Sequence, residues 1–99
     1  MLNLTSGQRR YLRSLAHALN PVVMIGGAGL TDAVVAEADR ALKAHELIKV
    51  KVAGDDRALR ESIFTEMAER LAAAPVQHIG KTLVFYRPAE KPEIKLPQD

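Results

Sequence analysis

Leu12, Leu15, Ala16 and Leu19 recur three and four residues apart, the spacing that gathers side chains on one face of a helix. The pattern predicts a helix from Thr5 to about Asn20 with those four residues as its buried stripe. Thr5 and Gln8 stand in the relation of a capping box, in which hydroxyl and amide each satisfy a free backbone N–H. Asn20-Pro21 ends the helix, because proline disfavours helical geometry in the residue before it. Val22-Val23-Met24-Ile25 is apolar throughout, which predicts a short strand covered on both faces. A loop of small residues follows, then Thr31 as N-cap and Asp32 in the first turn of a second helix, where a carboxylate suits the helix dipole. Val34, Val35, Ala38, Ala41 and Leu42 share the inner face of that helix, which gives way near His45-Glu46. Leu47 to Val52 alternates strictly: Ile48, Val50 and Val52 point one way, Lys49 and Lys51 the other.

Ala53-Gly54-Asp55-Asp56 reads as a turn ending in an aspartate cap. A third helix runs from there to about Ala73, with Leu59, Ile63, Phe64, Met67 and Leu71 inward, until Pro75 breaks it. Val76 to Ile79 and Thr82 to Tyr86 are strands joined by Gly80-Lys81, a two-residue hairpin signal. The order is α-β-α-β-α-β-β. The fold class is therefore α/β: a single small domain with a four-stranded mixed sheet, parallel in part because of its crossovers and antiparallel at the terminal hairpin. Residues 1–88 carry these elements. Residues 89–99, with prolines among charges, have little to bury and are expected to form a flexible tail.

Ninety-nine residues, 47% hydrophobic and 26% charged, suit one globular domain. The chain lacks cysteine, a long apolar N-terminal run and any stretch able to span a bilayer, so a cytoplasmic location is expected and no membrane association. Net charge is only +2, but its distribution is uneven. No acid precedes Asp32, whereas Arg9, Arg10 and Arg13 lie on one stripe of the first helix with His17. A basic end on a nearly neutral body gives a local positive surface of the kind that meets a polyanion. Lys49 and Lys51, side by side on one sheet face, make a second cationic patch or protect a sheet edge. Lys81 and Arg87 flank the last strand.

Between the first strand and the second helix stand Gly26, Gly27, Ala28 and Gly29. Such a loop lets backbone N–H groups face outward, and the N-terminus of the next helix adds partial positive charge, a combination suited to phosphate. The alternative is a turn in which glycine serves only backbone geometry. Neither Gly27 nor Ala28 brings a polar side chain, so any contact here is through the backbone. No Lys-Ser/Thr pair follows, as a P-loop would require.

The run from Val22 to Val52, with this GxxG loop and Ala44-His45-Glu46-Leu47-Ile48-Lys49-Val50-Lys51-Val52, resembles the CRM domain, named for chloroplast RNA splicing and ribosome maturation. Ile79-Gly80-Lys81-Thr82-Leu83-Val84 and Tyr86-Arg87-Pro88 resemble its last two strands. The likeness is greatest to the stand-alone bacterial, YhbY-like members. It implies a fold similar to the C-terminal domain of translation initiation factor three and an RNA-binding activity directed at large-subunit precursor rRNA or pre-ribosomal particles. It also implies RNA contact through Gly26, Gly27, Ala28 and Gly29 with nearby basic residues.

The remaining candidates carry less. His17, His45 and His78 lack metal-ligand spacing; His45 is expected to be partly buried, and His17 to continue the arginine stripe. Tyr11 and Tyr86 are read as packing residues rather than base-stacking ones. The serines lack a nucleophile's context and Asp55-Asp56 is a cap, so no enzyme, cofactor, metal or obligate small-molecule ligand is expected. The function read from the sequence is RNA binding in ribosome assembly through Gly26–Gly29, Arg9, Arg10, Arg13, Lys49, Lys51, Lys81 and Arg87. The alternatives are a protein-interaction module with incidental RNA affinity and a small-anion or nucleotide-binding enzyme subunit that uses the loop for one phosphate.

Overall fold

The computed structural model describes residues 2–98. Its elements follow the expected order: α1 (Ser6–Ala16), β1 (Pro21–Ile25), α2 (Asp32–His45), β2 (Leu47–Val52), α3 (Arg57–Leu71), β3 (Ala74–Ile79) and β4 (Thr82–Tyr86). The helix starts are set locally. The Thr5 hydroxyl accepts from the Gln8 N–H at 3.1 Å while the Gln8 side chain accepts from the Thr5 N–H at 3.0 Å. Thr31 and Asp56 cap α2 and α3 through the N–H groups of Val34 and Leu59. The strands form one sheet in the order β1-β2-β4-β3, with β1 and β2 parallel and the other pairs antiparallel. The β2–α3–β3 connection skips one position, which β4 fills by folding back across the Gly80-Lys81 turn.

The two faces of the sheet are covered differently. Val23, Ile25, Ile48, Val50, Val52, Leu83 and Phe85 meet α2 and α3 through Ala38, Leu42, Ile63, Met67 and Leu71. On the opposite face, Leu12 and Ala16 of α1 pack on Leu47, Val76, Val84 and Tyr86. One helix covers only part of a four-stranded face. The strip at the C-terminal end of β2 is left open, and Lys51 there is exposed as the alternation predicts.

Several expectations need correction. The first helix ends at Ala16 rather than near Asn20, and Leu15 and Leu19 are exposed, because α1 touches the sheet along the single line of Leu12 and Ala16. β1 is an edge strand, not one covered on both faces. Val23 and Ile25 are buried, while Val22 and Met24 face out. In α3 Leu59 is exposed and Arg60 is buried in its place, its guanidinium donating to the Gly54 carbonyl at 2.9 Å and toward His78. That helix stops at Ala72 in the left-handed region (φ +50°), before the proline. Pro75 lies instead inside β3, at a register shift on the edge, where its missing N–H leaves no gap in the ladder. His45 is exposed rather than partly buried.

Glu46 has a left-handed φ of +64° and is buried, and it fastens the segment after Pro88. Its carboxylate accepts from the N–H groups of Ala89 (2.7 Å), Glu93 (3.0 Å) and Ile94 (3.0 Å). Burial pushes its pKa up, but the three N–H donors together outweigh that and hold it below its ordinary value. Ile94 and Leu96 then pack beside α1, and the Gln8 side chain donates to the Pro97 carbonyl at 2.9 Å. The segment expected to find little to bury thus has both polar and apolar partners.

Candidate nucleic-acid interface

Three connections meet at one end of the sheet. The Ala53 N–H donates to the Ile25 carbonyl at 2.9 Å, and the Val52 N–H to the Lys81 carbonyl at 2.8 Å. The Gly26–Gly29 loop, the Ala53–Asp56 turn and the Gly80-Lys81 turn therefore lie together. The Gly29 N–H closes a turn onto the Gly26 carbonyl at 3.0 Å, leaving Gly27 and Ala28 at its tip. Neither tip amide donates to another group among the described residues.

The glycines of the loop differ in what they answer to. Gly29 has φ +74°, a conformation that L side chains rarely adopt. Gly26 and Gly27 lie outside the left-handed region, and a Cβ added at either would meet nothing within 4 Å. Neither backbone geometry nor packing inside the protein calls for glycine at those two positions. What glycine does there is leave the peptide bare toward the outside.

The start of α2 faces the same loop. Its carboxylate, Asp32, opposes any anion docking there, but Arg70 of α3 pairs with it at 2.8 Å. That hydrogen bond, with the charge of Asp32, holds the Arg70 guanidinium above its ordinary pKa. The guanidinium, shared with Glu66 at 3.6 Å, offsets part of the repulsion that Asp32 would offer an anion at this helix N-terminus.

The structure brings some of the candidate basic residues together and separates others. Arg10, Arg13 and His17 of α1 line one groove of about 420 Å³ together with Lys49, Gln77, Ile79 and Thr82. The α1 stripe and the β2 lysine, separate in sequence, thus form one cationic wall. Lys51 follows Lys49 on the same face, closer to the loops. Among the described residues these cations form no ion pair. Arg9 is half-buried and does not line the groove. Lys81 stands at the right end of the sheet but pairs with Asp55 at 3.2 Å. The structure does not bring Arg87 together with the others. It sits at the other end of the sheet, beyond the Leu47–Tyr86 pair, and binds the Leu71 carbonyl (2.8 Å) and the Asp39 carboxylate (2.9 Å). Lys43 and Arg87 together hold the Asp39 carboxyl below its usual range.

Met24, Gln77, Ile79 and Thr82 belong to this face and were not legible as site residues. A run such as Val22-Val23-Met24-Ile25 conceals which side chains face out, since all are apolar. On the other flank of α1, Leu15, Leu19, Val22, His45 and Ile94 line an apolar groove of about 440 Å³. Among the described residues no group of three or more His, Cys, Asp or Glu is placed to hold a metal, and no helix is long and apolar enough to cross a membrane.

Comparison with known proteins gives a consistent picture. The model of the CRS1/YhbY (CRM) domain matches residues 4–87. The chain is 52% identical over 98 residues to a Haemophilus influenzae protein named "RNA-binding protein", covering 99% of each. It is 36% identical to Bacillus subtilis YqeI, named a probable RNA-binding protein, covering 95% of this chain and 99% of YqeI. The solution structure of the hypothetical protein SAV1595 from Staphylococcus aureus superposes with a TM-score of 0.84 at 38% identity, over 96% of this chain and 100% of that one.

Proposed function

Because the chain belongs to the CRS1/YhbY (CRM) domain family, we propose that it binds RNA and acts in ribosome assembly on large-subunit precursor rRNA. The observation that carries the RNA reading is the bare loop tip. Gly26 and Gly27 are glycines that the fold does not require, placed at a helix N-terminus whose acid is paired with Arg70. The tip amides of Gly27 and Ala28 take a phosphate, and the dipole of α2 adds to the attraction. Arg10, Arg13, Lys49 and Lys51 supply the longer-range field and further phosphate contacts. Such contacts fix position and carry no sequence information, so selectivity rests on RNA shape or on exposed bases. The work is binding, with no chemical step. The assembly role rests on the family resemblance.

The test is the double substitution Gly27→Asp, Ala28→Asp. Neither position is crowded or in the left-handed region, so the fold is retained while two carboxylates meet the phosphate. RNA affinity is expected to drop at least tenfold; an unchanged affinity in a normally folded variant removes the loop from the site. Cosedimentation with large-subunit precursors in cell lysate tests the assembly role separately. The apolar groove beside Leu15 and Leu19 favours a protein partner as the second reading. Binding to pre-ribosomal particles that hardly changes with salt would support it.

A further inference from the structure

We propose that the open strip of the sheet beside α1 is a platform for unpaired bases, so that the RNA engaged is single-stranded where it crosses this face. The inference rests on the RNA-binding reading and adds the form of the ligand. The strand register puts Met24, Lys51, Thr82 and Ile79 in one row across all four strands. Met24 and Ile79, at its two ends, are 64% and 58% exposed, the most exposed large hydrophobic side chains among the described residues. Between them stands the Lys51 ammonium, and behind them lies the groove walled by Arg10, Arg13, His17 and Lys49, with no acid in its lining. Three strand spacings make the row about 14 Å long, enough for roughly two to four nucleotides of a stacked or partly unstacked strand.

The occupant follows from the mixture of chemistries. Two exposed apolar side chains with an unpaired lysine between them, beside a cationic groove, match a polymer that offers apolar base faces next to regularly spaced phosphates. Duplex RNA presents phosphates, 2′-hydroxyls and base edges but no free base faces, since these are already stacked, and would leave Met24 and Ile79 without an apolar partner. An unpaired strand lays bases on the apolar ends of the row and phosphates against the cations, with aliphatic side chains covering base faces where other single-strand platforms use aromatic ones. The Gln77 amide and Thr82 hydroxyl border the groove and are suited to base edges. The row is also continuous with the glycine loop, since Met24 precedes Gly26 by two residues.

The experiment compares an unstructured pyrimidine oligoribonucleotide with a blunt RNA duplex carrying the same number of phosphates, each titrated at several salt concentrations. The native chain is expected to prefer the single strand. Met24→Ala with Ile79→Ala, both on the surface, should lower single-strand affinity about tenfold through lost apolar burial while leaving duplex affinity and both salt slopes unchanged. Equal native affinity for the two RNAs, equal loss on both, or no loss on either overturns the platform but leaves RNA binding standing. The Gly27→Asp, Ala28→Asp variant separates the two ideas further, since it should weaken single-strand binding in a chain whose Met24 and Ile79 are intact. Native protein that binds neither RNA overturns the RNA reading and this inference with it.

Discussion

Replacing Glu46 by glutamine should release the C-terminal segment and destabilise the whole domain. The buried carboxylate accepts three backbone N–H bonds, from Ala89 at 2.7 Å and from Glu93 and Ile94 at 3.0 Å each. A glutamine oxygen in the place of Oε1 keeps the Glu93 and Ile94 bonds at neutral strength. Its NH₂ then faces the Ala89 N–H, donor against donor. One charge-assisted bond is lost at about 1.5–3 kcal/mol, and the two others weaken toward about 1 kcal/mol each. The tail can let go and give its amides to water, which limits the loss to about 2–4 kcal/mol, or a fall in Tm of roughly 10–20 °C for a domain of this size. Hydrogen exchange read at Ala89, Glu93 and Ile94, beside a urea titration, checks both parts. Glu46→Gly supplies the control: it relieves the left-handed φ of +64°, worth about 1 kcal/mol, yet has no carboxylate to hold the tail. It should be less destabilised than an alanine variant while exchanging its tail amides just as fast. Acid acts through the same group. Its folded pKa lies below the ordinary 4.5, so its contribution is complete above that value and is lost as pH falls through the folded pKa. Native protection of the three amides in Glu46→Gln would refute the reasoning.

Three other outcomes follow from the same geometry. Gly29→Ala should cost about 1–2 kcal/mol in urea denaturation because of its φ of +74°, whereas Gly27→Ala should be close to neutral in stability. Arg10→Ala and Arg13→Ala should each flatten the slope of log K against log salt by about 0.7–0.9 if each contacts one phosphate; an unchanged slope places those arginines off the RNA. Arg87→Met should lower stability by about 2–3 kcal/mol through the lost bonds to Leu71 and Asp39, with RNA affinity unchanged in the folded fraction.

What the sequence disclosed was mostly what neighbouring residues decide among themselves. The Thr5–Gln8 box, the Thr31 and Asp56 caps and the Gly80-Lys81 hairpin are settled within a few positions, and each stands as read. The alternation of β2 likewise survives, because lysines mark its outer face. Readings failed where a distant partner decided. Leu59 and Arg60 exchange their expected places because a guanidinium can go inward once Gly54 and His78 supply acceptors. Arg87 looked like a surface cation, but its carboxylate partner Asp39 lies 48 residues away and nothing in the local pattern announces it. The tail looked idle for the same reason: the acceptor of its amides is Glu46, on the far side of α3 and the hairpin in the chain order.

The placement of the helices also constrains the RNA. The arginines of α1 lie on one face of the sheet and α2 lies on the other, so the glycine loop must round the end of the sheet to reach its helix. An RNA that touches both the α1 groove and the loop tip has to follow that turn within a body whose shorter dimensions are 25 and 24 Å. Duplex nucleic acid is stiff over such lengths, and smooth bends of 40–90° in a site of 20–30 base pairs already cost about 1–6 kcal/mol. A single strand, or a junction where a helix frays into one, makes the same turn at little elastic cost. On the proposed site, the opposed helices therefore disfavour a continuous duplex independently of the apolar row. If one RNA meets both parts of the proposed site, shape and surface chemistry favour the same ligand for separate reasons: its backbone bends at the loop, and its bases are free over Met24 and Ile79.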